Sequence, residues 1–350
     1  NIYPQSLTCY HDHRPFYLLV SVHCPSQIEK AMESLVRRAF VKFLYFSVLC
    51  VFLSSFSSSL SHVKLNSIPK HIFCDMDGTL LRSDSHTLSD RTKLAVKEVM
   101  KQGVNFFPAT GRTRSSLTRC LCDEFLSLYG GRNKLAGVYQ QGLMVYDTSG
   151  NIIYERFMDP DIVGLVEDFC ARAPGVPSVV GYAEKTIHCQ QRTQHMDVFI
   201  AYGDPEPVVY SQGLRSLRLS GVGFHKLIIL HEQSVLDEVR PMLAELLAGV
   251  ATLTQAVSGM LEVLPYGASK GDGVKKFLEH FDYSKDDILV FGDGENDIEM
   301  FELASLSIAV ENAKEKVKSA ADFVVPSNNE DGVAQVLEKL IHLKIKPMYV

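Results

Sequence analysis

No two cysteines in this chain stand in CxxC spacing, no basic stripe or block is present, and no internal repeat or low-complexity segment interrupts it. Each absence excludes something. The cysteines are widely scattered, and the five beyond residue 70 (Cys74, Cys120, Cys122, Cys170 and Cys189) form an odd set that gives no disulfide framework. Neither Cys120 with Cys122 nor Cys189 in the stretch from His188 to His195 has the spacing of a zinc site. The formal net charge is −6, and the scattered Lys and Arg residues cannot neutralise a run of phosphates. Nucleic acid is thereby excluded as a main partner, and an anionic ligand has to be captured by local charge.

What is present is an ordinary globular composition. The 350 residues are 46% hydrophobic and 22% charged, enough to bury a sizeable core in one or two domains. Near the amino terminus, Met32 opens a basic region with Arg37, Arg38 and Lys42, followed by an apolar run from Phe43 to Phe56 and then serines and small residues. This layout is that of a secretory signal peptide, and the run is shorter than the ~20 residues a spanning helix needs. Because the first residue is Asn, Met32 is read as the start. Residues 1–31 are then outside the mature protein, 32–62 form the signal peptide, and the protein enters the secretory pathway without stable membrane insertion after cleavage. An uncleaved anchor is the alternative.

Beyond Ile68, short apolar runs alternate with amphipathic stretches of helical length, which predicts a doubly wound α/β core with a mostly parallel sheet covered on both faces. Three runs end directly on a polar residue: Ile72-Phe73-Cys74 on Asp75, Phe106 to Ala109 on Thr110, and Ile288 to Gly292 on Asp293. In such a sheet the carboxyl ends of strands face the ligand crevice, so neighbouring strands would bring these residues to one edge. Residues 158–256 are too long for a loop and carry their own strand and helix patterns, so they are read as an inserted α+β cap. The core then comprises 68–157 and 257–345.

The chemistry resides in two acidic segments. Asp75-Met76-Asp77-Gly78-Thr79-Leu80-Leu81 places two carboxylates one residue apart just past a buried strand, with Gly78 allowing a sharp turn. A carboxylate can attack phosphorus and form an aspartyl-phosphate, which suits Asp75. A second carboxylate can protonate the departing alkoxide and later deprotonate water, which suits Asp77. Gly292-Asp293-Gly294-Glu295-Asn296-Asp297 adds hard oxygen ligands opposite that nucleophile and points to Mg²⁺. Either segment alone reads equally well as an acidic turn; together they are far more specific.

DMDGTLL, the PATGR segment ending Thr110-Gly111-Arg112, Lys270 in SKGDG, and GDGENDIEM occur in that order, and they resemble the four motifs of the haloacid dehalogenase superfamily. Asn312-Ala313 and Ser327 to Gly332 strengthen the likeness, and the inserted section looks like the C2B cap of Cof-like hydrolases. The resemblance implies that Asp75, the backbone carbonyl of Asp77 and Asp293 hold Mg²⁺, with Asp297 a ligand or an acid beside them. It implies that Thr110 binds a phosphate oxygen and that Lys270 acts as a mobile point charge on the nucleophile and the transferring group. Gly78, Gly111 and Asn296 complete the expected phosphate-binding set, Asn296 by orienting the acidic loop. Where Cof-like proteins commonly have Asn-Gly-Ala, this chain has Gln141-Gly142-Leu143. Arg112 is read as capping or solvating a helix start and stays outside the set. His225, Lys226 and Tyr182 are the cap residues considered for specificity.

The expected activity is therefore Mg²⁺-dependent hydrolysis of a small phosphorylated metabolite, such as a sugar phosphate, nucleotide or cofactor phosphate. A phosphomutase would differ only in the acceptor. A catalytically silent binding protein would be favoured by loss of Asp75, Asp77 or Lys270, and all three are present. Gly267-Ala268-Ser269-Lys270-Gly271 formally matches a serine hydrolase elbow, with His342 downstream. Pro265 and Gly267 interrupt the strand that elbow requires, and the reading leaves both acidic segments unexplained. The order of a phosphate-binding P-loop is not met.

Overall fold

A computed structural model describes residues 69–201 and 204–345. The chain first forms β1 (His71–Cys74), α1 (Asp90–Lys101), β2 (Asn105–Pro108), α2 (Arg114–Cys120), α3 (Asp123–Ser127), β3 (Gly137–Tyr139), β4 (Met144–Tyr146) and β5 (Ile152–Glu155). It continues through α4 (Pro160–Cys170), β6 (Ser178–Tyr182), β7 (Ile187–Cys189), α5 (Asp197–Ala201), β8 (Val208–Val209), α6 (Leu214–Leu219), β9 (Lys226–Leu230), α7 (Gln233–Leu246), β10 (Ala251–Val257) and β11 (Met260–Pro265). It returns with α8 (Lys270–Phe281), β12 (Ile288–Gly292), α9 (Ile298–Leu303), β13 (Leu306–Val310), α10 (Glu315–Lys318), β14 (Phe323–Val325) and α11 (Gly332–Ile345).

The core sheet has the order β14-β13-β12-β1-β2 and is parallel throughout. Strand β1, between β12 and the edge strand β2, is buried along its whole length, as expected of a strand covered on both faces. In register, Cys74 stands beside Phe291 of β12 on one side and Pro108 of β2 on the other. The ladder extends one residue further, with Asp75 N–H donating to the Phe291 carbonyl at 3.0 Å and Ala109 N–H to the Cys74 carbonyl at 2.9 Å. Asp75, Thr110 and Asp293 therefore leave three adjacent strands at one edge, as the pattern of their apolar runs predicts.

Helix α8 is amphipathic and lays Val274, Phe277 and Leu278 on the sheet, one face of a 3.6-residue period. Phe277 meets Phe107 at 4.6 Å and Phe73 at 5.3 Å between ring centroids, and a ring buried this way contributes roughly 1.5–3 kcal/mol. The Ser269 hydroxyl caps the helix by accepting from Asp272 N–H. This anchoring delivers Lys270, the first residue of the helix, to the strand edge.

The inserted cap is an α+β layer whose six-stranded sheet has the order β10-β11-β9-β6-β7-β8. Helices α4, α6 and α7 pack on Leu227, Ile229, Leu261 and Val263. Because side chains alternate along a strand, the intervening Lys226, Ile228, Met260 and Glu262 face the opposite way and line a cleft against the core. The expected return to the core at 257 is corrected by this sheet: β11 pairs antiparallel with β9 and β10, so the cap sheet runs to Pro265. A small antiparallel sheet, β3-β4-β5, was not foreseen; Thr110 N–H donates to Val138 of β3. The expected signal peptide and the upstream residues lie outside the described residues. No described helix is long and apolar enough to cross a membrane.

Candidate active site

Four titratable groups, Asp75, Asp293, Asp297 and Lys270, meet at the edge where β1 and β12 end. Asp75 is buried, and its Oδ1 accepts from Lys270 Nζ at 2.5 Å. Lys270 also donates to Asp297 Oδ1 at 2.7 Å. Lys270, at the start of α8 and almost wholly buried, is thus held between two carboxylates. Asp297 Oδ2 accepts from the N–H groups of Asp293 and Gly294 at 2.9 and 2.8 Å. Both of its oxygens are engaged and Asp297 does not line the cleft, so it shapes the acidic loop from behind. Asp293 Oδ1 accepts from Thr79 Oγ1 at 2.6 Å.

Burial works against the charge of Lys270, but Asp297 and Asp75 outweigh it and hold the ammonium above its ordinary range. Burial pushes Asp75 well up, against the pull of Lys270. Burial, and then the Asp297 charge, push Asp293 up to about 6. One oxygen from each of Asp75, Asp293 and Asp297 lies within 4.8 Å of the others. Three carboxylates against one ammonium leave an excess of negative charge, and hard oxygen donors fit a hard divalent cation. The Asp77 carboxylate is not in this cluster.

Asp77 instead faces Arg112, which donates from Nε at 2.6 Å and from Nη2 at 2.7 Å in a two-pronged ion pair. Arg112 corrects the sequence reading: it is buried, with its guanidinium also against Ser116 and Cys120 of α2. Burial opposes its charge, and Asp77 more than restores it. Thr110, also buried, accepts through Oγ1 from Arg112 N–H at 3.1 Å.

The Asp75–Leu81 loop is fastened from the far end of the chain. Asn312 Nδ2 donates to the Gly78 carbonyl and Asn328 Nδ2 to the Leu81 carbonyl, each at 2.7 Å. Gly78 is not among the residues lining the cleft, and its backbone conformation gives it a task at Asp293. Its φ is +80°, and a Cβ there would stand 2.4 Å from Asp293 Oδ2. Gly78→Ala is expected to displace Asp293 and weaken binding of a divalent cation at this cluster about 10–100-fold, the scale for disturbing groups that orient metal ligands. Calorimetric titration checks this, and unchanged affinity would count against the role given to Asp293.

The Gln141-Gly142-Leu143 departure has a structural counterpart. Gln140 and Gln141 both take positive φ, 49° and 60°, and Gln141 is clamped from two sides. Its Oε1 accepts from Asn296 Nδ2 at 2.9 Å, and its Nε2 donates to Glu262 Oε2 at 2.6 Å. Asn296 therefore lines the cleft while bonded to Gln141. Glu262 also accepts from Lys226, whose Nζ donates to the Gly111 carbonyl at 3.0 Å. Two buried cap strands thus reach the core loops through one lysine and one glutamate. His225 does not line the cleft; it bonds Glu155 and Gln140 at the junction of cap and core. Glu262 was missed from sequence, whereas Arg112 was considered and left outside the site. A lone acid in the apolar run Met260–Pro265 was the available signal for the first.

Ser269 is no nucleophile elbow: its hydroxyl donates to Glu299 and caps α8, and no strand runs into it.

A family profile for haloacid dehalogenase-like hydrolases matches residues 72–337. The chain belongs to this family. Within it, the chain is of the Cof-like type. It is 34% identical over 272 residues to the Arabidopsis thaliana protein named "Endoribonuclease YBEY, chloroplastic", covering 76% of this chain and 46% of that protein. It thus spans just under half the length of that relative. It is 25% identical over 273 residues to the Escherichia coli 5-amino-6-(5-phospho-D-ribitylamino)uracil phosphatase YbjI, covering 78% of this chain and 96% of that one. Among solved structures, a HAD/COF-like hydrolase from Plasmodium vivax superposes with a TM-score of 0.70 at 25% identity, covering 82% of this chain and 99% of that chain.

Proposed function

We propose that this chain is a Mg²⁺-dependent phosphatase that hydrolyses small phosphorylated metabolites through an aspartyl-phosphate on Asp75. The observation that carries this reading is the placement of Asp75: buried, bonded to Lys270, facing the cleft, with Asp293 beside it and Asp77 two residues on. Asp75, Asp293 and the backbone at Asp77 would hold the ion, which neutralises phosphoryl charge when bound. Lys270 favours the charged form of Asp75 against the push of burial and holds its carboxylate towards phosphorus. As the Asp75–phosphorus bond forms, the bond to the leaving oxygen breaks, and protonated Asp77 supplies that oxygen with its proton. Asp77 then takes a proton from the water that cleaves the acyl phosphate, regenerating Asp75. Arg112 engages both oxygens of Asp77, so an entering phosphoryl group that draws Arg112 away frees Asp77 to carry a proton.

The E. coli relative's name supplies a lead substrate, a phosphorylated ribitylaminouracil. The endoribonuclease of the Arabidopsis name is not carried over, because under half of that protein is matched. The test is phosphate release from an aryl phosphate and a metabolite panel, with Mg²⁺ and with chelator. Turnover is expected only with Mg²⁺, and chelator-resistant turnover overturns the metal reading. Metal binding is expected to weaken as pH falls through about 6, where Asp293 takes a proton in the metal-free protein. Mg²⁺ titrations between pH 5 and 8 check this; a flat affinity across about pH 5–7 would contradict it.

A further inference from the structure

Asp204 stands on the cap side of the same cleft and has no part in the chemistry above. Its carboxylate is held in place from two directions. Asp204 N–H donates to the Phe199 carbonyl at 2.9 Å, and the Tyr182 hydroxyl donates to Asp204 Oδ2 at 2.8 Å. Tyr182 is itself buried and meets the Phe199 ring edge-on, with centroids 5.6 Å apart. With Oδ2 engaged, Oδ1 is buried without a hydrogen-bond partner. Among the described residues, Asp204 alone combines such an orphaned side-chain atom with a place on the cleft wall.

No neighbouring polar group hydrogen-bonds that oxygen: Arg112, near enough to feel the Asp204 charge, donates to Asp77 instead. Lys226 is engaged by Gly111 and Glu262, and both oxygens of Glu262 are engaged by Lys226 and Gln141. The rest of the cap wall is the apolar trio Ile228, Val257 and Met260. A buried, oriented acceptor without a partner is costly unless a donor arrives with the ligand. A site built this way rejects an analogue that lacks the donor far more strongly than an apolar pocket rejects a missing methylene.

We propose that Asp204, oriented by Tyr182, is a specificity-determining residue that selects phosphate monoesters whose leaving group carries a hydroxyl or N–H donor, polyol phosphates being the simplest class. This inference rests on the phosphatase reading.

The test compares ribitol 5-phosphate with pentyl phosphate, esters of equal chain length that differ in their hydroxyls, using wild type, Asp204→Ala, Asp204→Asn and Tyr182→Phe. Wild type is expected to prefer the polyol ester by about 100-fold or more in kcat/KM. Asp204→Ala is expected to shrink that preference to about threefold, chiefly through KM, with Tyr182→Phe intermediate as befits a positioning residue. If Asp204→Ala fails to fold, Asp204→Asn, which keeps the shape but presents a donor, decides by the same ratio. A preference that survives substitution, or a wild type without preference, overturns the inference while leaving the phosphatase reading standing. A wild type that releases phosphate from neither ester nor from an aryl phosphate overturns both.

Discussion

Asp75→Asn is expected to lower phosphate release by about 10⁴–10⁶-fold, the range seen when a nucleophile is removed from a working constellation. The substitution keeps the shape of the side chain and one oxygen, so Lys270 retains a partner there and keeps its second partner, Asp297. What is lost is nucleophilicity, since an amide oxygen does not displace an alkoxide from phosphorus. Burial pushes the Asp75 carboxyl well up in the metal-free protein, so exchanging it for a neutral group removes a buried charge. The fold is therefore expected to survive, and the unfolding midpoint measured without metal separates loss of chemistry from loss of structure. Mass spectrometry of acid-quenched turnover supplies a second readout. Wild type should carry one added phosphoryl group on the peptide containing Asp75, and the variant none. A folded variant with activity within about tenfold of wild type would remove Asp75 from the mechanism.

The strand-edge half of this site was legible in the sequence because one rule covers it. A buried parallel strand reads as an apolar run, and Asp75, Thr110 and Asp293 are the first polar residues after three such runs. The cap half was not, because the rule there depends on which sheet face the helices cover. Lys226 and Ile228 point to the cleft only because Leu227 and Ile229 are taken by the helices packed on the other face. Strand β11 resembled a returning core strand, being apolar and next to Lys270, and only its antiparallel pairing with β9 assigns it to the cap. Arg112 was misjudged because its role depends on Asp77, 35 residues away in sequence. No local spacing encodes that pair. The positive φ of Gln140 and Gln141 was equally hidden, since glutamine carries no signature for that conformation.

Lys270→Met should reduce stability as well as activity, and it separates the two roles of this lysine. Lys270 is 1% exposed and is the hydrogen-bonded cation of both Asp75 and Asp297. Removing one partner of a buried ionic cluster costs ~3–5 kcal/mol, because the remaining charges stay buried without compensation. At roughly 2–4 °C per kcal/mol, the midpoint should fall by ~6–20 °C. The pH dependence has a definite sign. The Lys270 ammonium has its folded-state pKa raised above its unfolded value, so its contribution is fully present below the unfolded value and is lost only in strong base. Asp75 has its folded-state pKa raised too, which for an acid means that stability falls as pH rises through that value. Without Lys270 the upward push on Asp75 strengthens, so the deficit of the variant should be larger at pH 8 than at pH 5. Methionine keeps the length and apolar stem, so the shortfall reports charge rather than volume. Mg²⁺ should recover part of the lost midpoint by neutralising the same carboxylates while leaving turnover about 10³-fold or more below wild type, since the ammonium that steadies the nucleophile and the transferring group is gone. A variant as stable as wild type at pH 8 would show that the carboxylates do not need this cation.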